Sequence, residues 1–268
     1  MEQIIFLVAI MAGAGAIAGF MAGLLGIGGG IVMVPALYFA FGVVGVAEAW
    51  HMHMSVGTSL AIIITTAISS AHSHNKRGAV DTRIIKRWAP WIMVSAFLGA
   101  GFAGELSSGT LSLIFACFAF VMGAKLLLPV KDKPLTEKEP GMTVSAVVAL
   151  LIGGVSSLMG IGGATLSVPA MTYFNVPIHR AVGTAALIGL LIALPATIGY
   201  LIEGIGLDGR PPYSIGFVNL AAVAVIAPIA AVAAPFGARA AHAIQRRTLS
   251  IIFGVFLIGM AIRMALEL

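Results

Sequence analysis

Long apolar runs separated by short polar turns fill nearly the whole chain, and they fall into two sets of five. The first set covers roughly 3–25, 31–44, 55–74, 89–104 and 110–128; the second covers 142–159, 165–176, 181–202, 216–236 and 248–266. Most are about 20 residues long, which suffices to cross a bilayer core as a helix. The second run of each set is shorter, about 18–21 Å at a rise of roughly 1.5 Å per residue. It either crosses at a tilt or dips in and returns with its predecessor as a hairpin.

The two sets resemble each other residue by residue. Gly26-Ile27-Gly28-Gly29 returns as Gly160-Ile161-Gly162-Gly163, and Val34-Pro35-Ala36 returns as Val168-Pro169-Ala170. His53-Met54-Ser55-Val56-Gly57-Thr58 returns as His179-Arg180-Ala181-Val182-Gly183-Thr184, and Leu111–Phe115 as Leu249–Phe253, with Lys125 matched by Arg263. The chain therefore divides into a first repeat (1–128), a polar cytoplasmic linker (129–141) and a second repeat (142–268). Each half crosses an odd number of times whichever way its short run goes. An odd repeat inverts its successor, as in many secondary transporters. The expected fold is an all-α polytopic membrane protein, with eight to ten transmembrane segments in two inverted-topology repeats and broken helices near the midplane.

Charge supports that topology. With the loop 75–88 placed in the cytoplasm, 13 of the 15 lysines and arginines fall inside and only Arg210 and Arg263 outside, as the positive-inside rule requires. The composition is 60% hydrophobic and 9% charged, too little charge to cover a soluble domain of this size. The cations sit in short loops, which speaks for topology and against nucleic acid as a partner. Met1-Glu2-Gln3 lacks the basic start of a cleavable leader, so the first run is read as part of the fold. Cys117 cannot form an internal disulfide and is read as a small packing residue.

The glycine clusters carry the candidate chemistry. Gly28, Gly29 and Gly30, and their counterparts Gly162, Gly163 and Ala164, lie deep in apolar sequence just before Pro35 and Pro169. Clustered glycines break helices, and proline disfavours helix in the residue before it. Backbone freed at that depth needs partners or a polar cavity. A helix N-terminus beside such a break offers N–H groups to an anion. Gly13, Gly15, Gly19 and Gly23 are read instead as tight helix-packing positions.

The paired Gly-Ile-Gly-Gly and Val-Pro-Ala motifs, each followed by His-x-x-Val-Gly-Thr, resemble the sulfite exporter TauE/SafE family over essentially the whole chain. That resemblance implies movement of sulfite, sulfoacetate or other organosulfonates across a bacterial inner membrane. The sulfur comes from the resemblance alone.

Further candidates follow from position. Gly57, Thr58, Ser59, Gly183 and Thr184 open the third run of each half; their hydroxyls either cap helices or bind substrate, facing each other across a pseudo-twofold axis. Arg239 is a candidate cytoplasmic anion gate. Lys125 and Arg263 are expected to snorkel. His53 and His179 suit capping or interfacial anchoring, and Tyr200, Asn75 and Asn219 suit interfacial placement. The pairs His51/His53 and His72/His74 lie about 30 Å apart by helical rise, so no metal site is expected. No acidic residue lies mid-span and no phosphate-binding lysine motif is present, so neither a carboxylate proton relay nor ATP-driven pumping is expected.

The chain is thus expected to be a secondary carrier of a small organic or inorganic anion in the lipid bilayer, without cofactors. A carrier for a different anion, or an assembly or structural factor, are the alternatives. An intramembrane enzyme would need a nucleophile, base or metal ligands at one depth, and none converge. Small residues throughout leave room for a homodimer.

Overall fold

The computed structural model describes residues 2–25, 30–128, 141–207, 209–243 and 246–267. Among them the chain forms ten helices, one over each apolar run, with α3 and α4 starting seven residues before their runs and α9 ending seven residues after its own. They are α1 (Glu2–Leu25), α2 (Gly30–Val44), α3 (Glu48–Lys76), α4 (Thr82–Gly104), α5 (Ser108–Leu127), α6 (Met142–Met159), α7 (Ala164–Tyr173), α8 (Ile178–Glu203), α9 (Leu220–Ala243) and α10 (Arg246–Leu266). A two-stranded antiparallel hairpin, β1 (Ser214–Ile215) and β2 (Val218–Asn219), precedes α9.

Local chemistry sets the ends. Asp81 caps α4 by accepting from the N–H groups of Arg83 and Ile84, and Ser107 caps α5 by accepting from Thr110. Gly160 ends α6 in the left-handed conformation at φ 64°, and its N–H bonds back to the last turn. Pro35 and Pro169 do not end helices, contrary to the expectation that they help make the breaks. Each is the sixth residue of its helix, and in the second half the break lies in the glycines before α7.

Packing joins the first five helices to the last five reciprocally. In α1, Gly15 and Gly19 lie against Ile226 and Ala230 of α9; correspondingly, Gly153 of α6 lies against Ile92 and Ser95 of α4. Both pairs run parallel. By contrast α3 and α8 run antiparallel, with Gly57 beside Tyr200 at one end and Gly183 beside Ala79 at the other. So do α5 and α10, where a Cβ on Gly123 or Gly254 would stand 2.9 Å from the other's carbonyl oxygen. A close approach of this kind needs small residues, because packing rather than water exclusion holds helices together in lipid. Gly13, expected to share this role, has nothing near its Cβ position.

The outer surface is apolar. Leu98, Val121, Leu151 and Val255 stand mid-helix and are each about 60% exposed. Five helices (α3, α5, α6, α8 and the Leu220–Gly237 part of α9) are long and apolar enough to cross a membrane, and shorter apolar helices accompany them. This is a multi-pass membrane protein. Cys117, read as a small packing residue, is exposed on the surface of α5.

Candidate functional site

The break between α6 and α7 is built from two left-handed glycines, Gly160 (φ 64°) and Gly163 (φ 70°), a conformation that side chains beyond glycine adopt only at a cost. Gly160 to Thr165 are all buried. The Gly163 carbonyl accepts from Leu166 and Ser167 N–H groups, which starts α7 and leaves its first N–H groups without an intrahelical acceptor. Ser59, reaching in from α3, donates its hydroxyl to the Gly160 carbonyl at 2.9 Å.

The start of α2 arrives at the same place. A Cβ on Gly30, the first residue of α2, would stand 2.7 Å from Ile161 Cα and 2.9 Å from the Gly162 nitrogen. Gly189 of α8 closes the other side, with its Cβ position 2.7 Å from the Gly162 carbonyl oxygen. Gly30, Ser59, Gly162, Gly163 and Ala164 are therefore one cluster. Gly28 and Gly29 lie outside the described residues, as does all but the last residue of the linker 129–141.

Gly57, Thr58, Gly183 and Thr184 are placed differently. They form two clasps, each joining one half to the entry of the other half's fourth helix. The Asn219 N–H donates to Thr58 Oγ1 at 3.1 Å, and the Asp81 N–H donates to Thr184 Oγ1 at 2.8 Å. Gly57 and Gly183 make room beside them: a Cβ would stand 2.7 Å from the Phe217 oxygen and 2.5 Å from the Ala79 oxygen respectively. Because α3 and α8 are antiparallel, the clasps sit at opposite ends of the pair, about 25 Å apart by the rise from Gly183 to Tyr200. Thr58 and Thr184 thus do not face each other. Nor do they cap their own helices; each hydroxyl holds another helix's first residues.

The clasps differ in burial, which sets their stabilities apart. Asn219 is 3% exposed, whereas the Asp81 side chain is 20% exposed and also meets Arg180 at 3.9 Å. Both threonines are fully buried; Thr58→Val strands the N–H of a buried residue and is expected to destabilise by about 1–3 kcal/mol, and Thr184→Val, whose partner Asp81 is only half-buried, by less. Thermal unfolding of the two variants in detergent measures the difference, and equal losses would refute the assignment.

Several other residues depart from their sequence readings. Tyr200 is fully buried and donates to the Ser157 carbonyl at 3.3 Å, and Asn219 is buried and caps α9 through Ala222 N–H at 2.8 Å, so neither is interfacial. His53 is 1% exposed, bonds the Ala103 carbonyl at 3.0 Å through Nε2, and stacks on Phe217 at 4.9 Å. The hairpin covering it is what removes it from the interface. His179 and Asn75 are exposed. Lys125 and Arg263 sit over Tyr173 and Phe39, the matching aromatics of the other half's short helix, at 5.5 and 4.2 Å. Arg239 is exposed and lies over Phe236 on its own helix, apart from the breaks.

Sequence reasoning missed two serines. Ser156 and Ser167 are 0% exposed, and their hydroxyls have no hydrogen-bond partner. Ser156 Oγ lies 3.6 Å from the Cβ position of Gly163, and Ser167 is one turn into α7. The available signal was a hydroxyl four residues to either side of the glycine break, in a stretch (142–178) with no charged residue.

A family model described as Sulfite exporter TauE/SafE matches residues 11–264. A protein named as a probable membrane transporter in Haemophilus influenzae is 37% identical over 94% of this chain and 96% of its own length. The probable membrane transporter YunE of Bacillus subtilis is 30% identical, covering 71% of this chain and 77% of its own. A third such protein, from Methanocaldococcus jannaschii, is 25% identical over 80% of this chain and 78% of its own. No solved structure matches the chain.

Proposed function

Because the chain belongs to the sulfite exporter TauE/SafE family, a family of membrane transporters and not enzymes, we propose that it is a secondary carrier of small sulfur-containing oxyanions. Sulfite or organosulfonates bind where the start of α2 meets the glycine break before α7 and cross by alternating access, in a bacterial inner membrane. The observation that carries the reading is the junction itself. Gly30 lies on Ile161 and Gly162 beside the free N-terminus of α7, with two buried unpartnered hydroxyls at hand. Irregular backbone at membrane depth is stable where protein buries it or a ligand path runs.

The antiparallel runs of α3 with α8 and of α5 with α10 support an inverted relation between the halves, since matching helices would otherwise run parallel. In that arrangement the clasps at Thr58 and Thr184 serve as gates on opposite sides, one opening while the other holds. Arg239 adds a cation at the cytoplasmic end of α9. Export of a monoanion down an inside-negative potential releases about 2.3 kcal/mol per 100 mV, so no coupling ion is required.

Reconstitution in liposomes with solid-supported-membrane recording tests this. Sulfite, sulfoacetate, isethionate, taurine, an aromatic sulfonate and sulfate form the panel. A saturable current for one or two sulfur oxyanions, lost in Gly163→Leu, is the expected result. Leucine at φ 70° is strained by about 1–2 kcal/mol before it meets Ile192. Folded protein that gives neither current nor isotope flux with any member of the panel removes the sulfur assignment.

A further inference from the structure

We propose that the groove between α1, α2 and α10 binds one phospholipid with a zwitterionic, amine-bearing head group, its phosphate on Arg263 and its ammonium on Glu267.

The groove has a volume of about 300 Å³ and no charged lining residue. One wall is the Ile10, Ala14, Ile17 stripe of α1, and the other is Phe256 and Met260 of α10. Val32 and Ala40 of α2 are buried at its floor, whereas Ile17 and Val43 are exposed at its rim. The outer surface is apolar, so the groove opens to lipid and not to water. Left empty, its walls would forfeit their dispersion contacts. From Val32 to Val43 the floor runs about 16 Å at helical rise, which is close to the roughly 15 Å hydrocarbon depth of one leaflet. An acyl chain therefore fits it end to end.

The stripe on α10 fixes the head-group end. Phe256, Met260, Arg263 and Glu267 recur at helical spacing and share one face, so the apolar wall runs straight into a cation and a carboxylate. Arg263 lies over the ring of Phe39, a groove residue, at 4.2 Å, and its Nε donates to Glu267 Oε1 at 3.3 Å. Both side chains are exposed. Among the described residues, Nη1, Nη2 and Oε2 of the pair have no hydrogen bond. Glu48, which starts α3 just beyond the rim residue Val43, brings a second carboxylate to this end. Both carboxylates act electrostatically on His51, whose ring stands 3.1 Å from the Cβ position of Gly42. The mouth thus combines one guanidinium with two carboxylates.

That combination selects a head group. The guanidinium fork matches the oxygens of a phosphodiester. The unused carboxylate oxygen matches a primary ammonium. Phosphatidylethanolamine carries both groups. Phosphatidylglycerol brings no cation and meets two carboxylates, and the quaternary ammonium of phosphatidylcholine has no N–H to donate.

The other half shows what the groove requires. There α5 repeats the stripe as Phe118, Met122 and Lys125, and Lys125 lies over Tyr173 as Arg263 lies over Phe39. The position of Glu267, however, is taken by Pro129. Val32 and Ala40 are matched by Leu166 and Phe174, larger side chains that pack against the core. The cation is repeated; the slot and the carboxylate are not. One lipid per chain is the consequence.

The purified full chain in detergent, given phosphatidylethanolamine, phosphatidylglycerol or phosphatidylcholine singly and read by native mass spectrometry, provides the test. One phosphatidylethanolamine is expected to be retained at concentrations about tenfold below those the other two need. Arg263→Gln should weaken all three lipids, because each brings a phosphate. Glu267→Gln should weaken phosphatidylethanolamine alone and erase its lead over phosphatidylglycerol. Ala40→Phe copies the filled slot of the other half and should abolish retention. The Arg263 and Glu267 variants change only exposed side chains, so they decide the matter even if Ala40→Phe does not fold. Equal retention of the three lipids, or a preference that survives Glu267→Gln, would overturn the proposal. So would a folded Ala40→Phe protein that keeps its lipid. A lipid-free dimer that Ala40→Phe splits would give the groove to a second copy of the chain instead.

Discussion

Leucine in place of Gly30 is expected to abolish most transport while leaving a folded, membrane-inserted protein. The Cβ of any larger residue stands 2.7 Å from Ile161 Cα and 2.9 Å from the Gly162 nitrogen, both backbone atoms of the opposite break. Backbone cannot rotate away as a side-chain tip can, so α2 and the break before α7 must part. Overpacking of this kind costs about 1–3 kcal/mol. If that cost falls on the arrangement that binds substrate, it lowers flux by about 10–100-fold. Gly13→Leu is the control, because nothing lies near its Cβ position and it faces outward on α1. Equal flux in the two variants would show that this meeting is incidental to transport.

Valine in place of Gly216 should be the most destabilising single change in the hairpin. Gly216 adopts φ 54° and a Cβ there would collide with the Leu201 backbone, while Gly204 leaves matching room on the α8 side. The close approach seats Phe217, which is 1% exposed, in a slot formed by Trp50, His53 and Tyr200, with its N–H on the Tyr200 carbonyl at 3.0 Å. Losing that seat compares with a core Phe→Ala change, about 3–5 kcal/mol. It also releases Asn219 from Thr58. Gly206→Val is the reference: Gly206 has φ 79° but open space around it, so only the backbone strain of about 1–2 kcal/mol applies. Thermal unfolding in detergent should separate the two clearly, and similar melting temperatures would mean that hairpin contact contributes little.

The hairpin also shows where sequence reading stops. An apolar run from 216 to 236 promised a helix from its first residue, yet α9 starts at Leu220 and Gly216 to Asn219 turn inward as a strand and cap. Nothing local distinguishes Phe217 in a slot from Phe217 in lipid; the slot is supplied by α3 and α8. The same holds for His53, polar enough to suggest an interface until the hairpin covers it. Among the candidate site residues, the glycines were legible because a helix break is a local property of the backbone. Thr58 and Thr184 were legible as a matched pair but not in role, since their partners lie 161 and 103 residues away. The hydroxyls of Ser156 and Ser167 were legible by their spacing about the glycine break, but not as unpartnered groups. Being unpartnered is a property of everything around a group.

By itself the sequence determined that this is a membrane protein of two similar halves, with ten apolar helices and paired glycine breaks before the short ones. A helix in lipid satisfies its own backbone, so apolar length and glycine clusters decide it locally. Only the tertiary structure decided that the start of α2 meets the break before α7, that the Gly-Thr motifs tie each half to the other, and that two serines are left without partners beside a helix end. Each of those depends on which helices pack together, and packing in lipid follows shape and close approach between elements far apart in the chain.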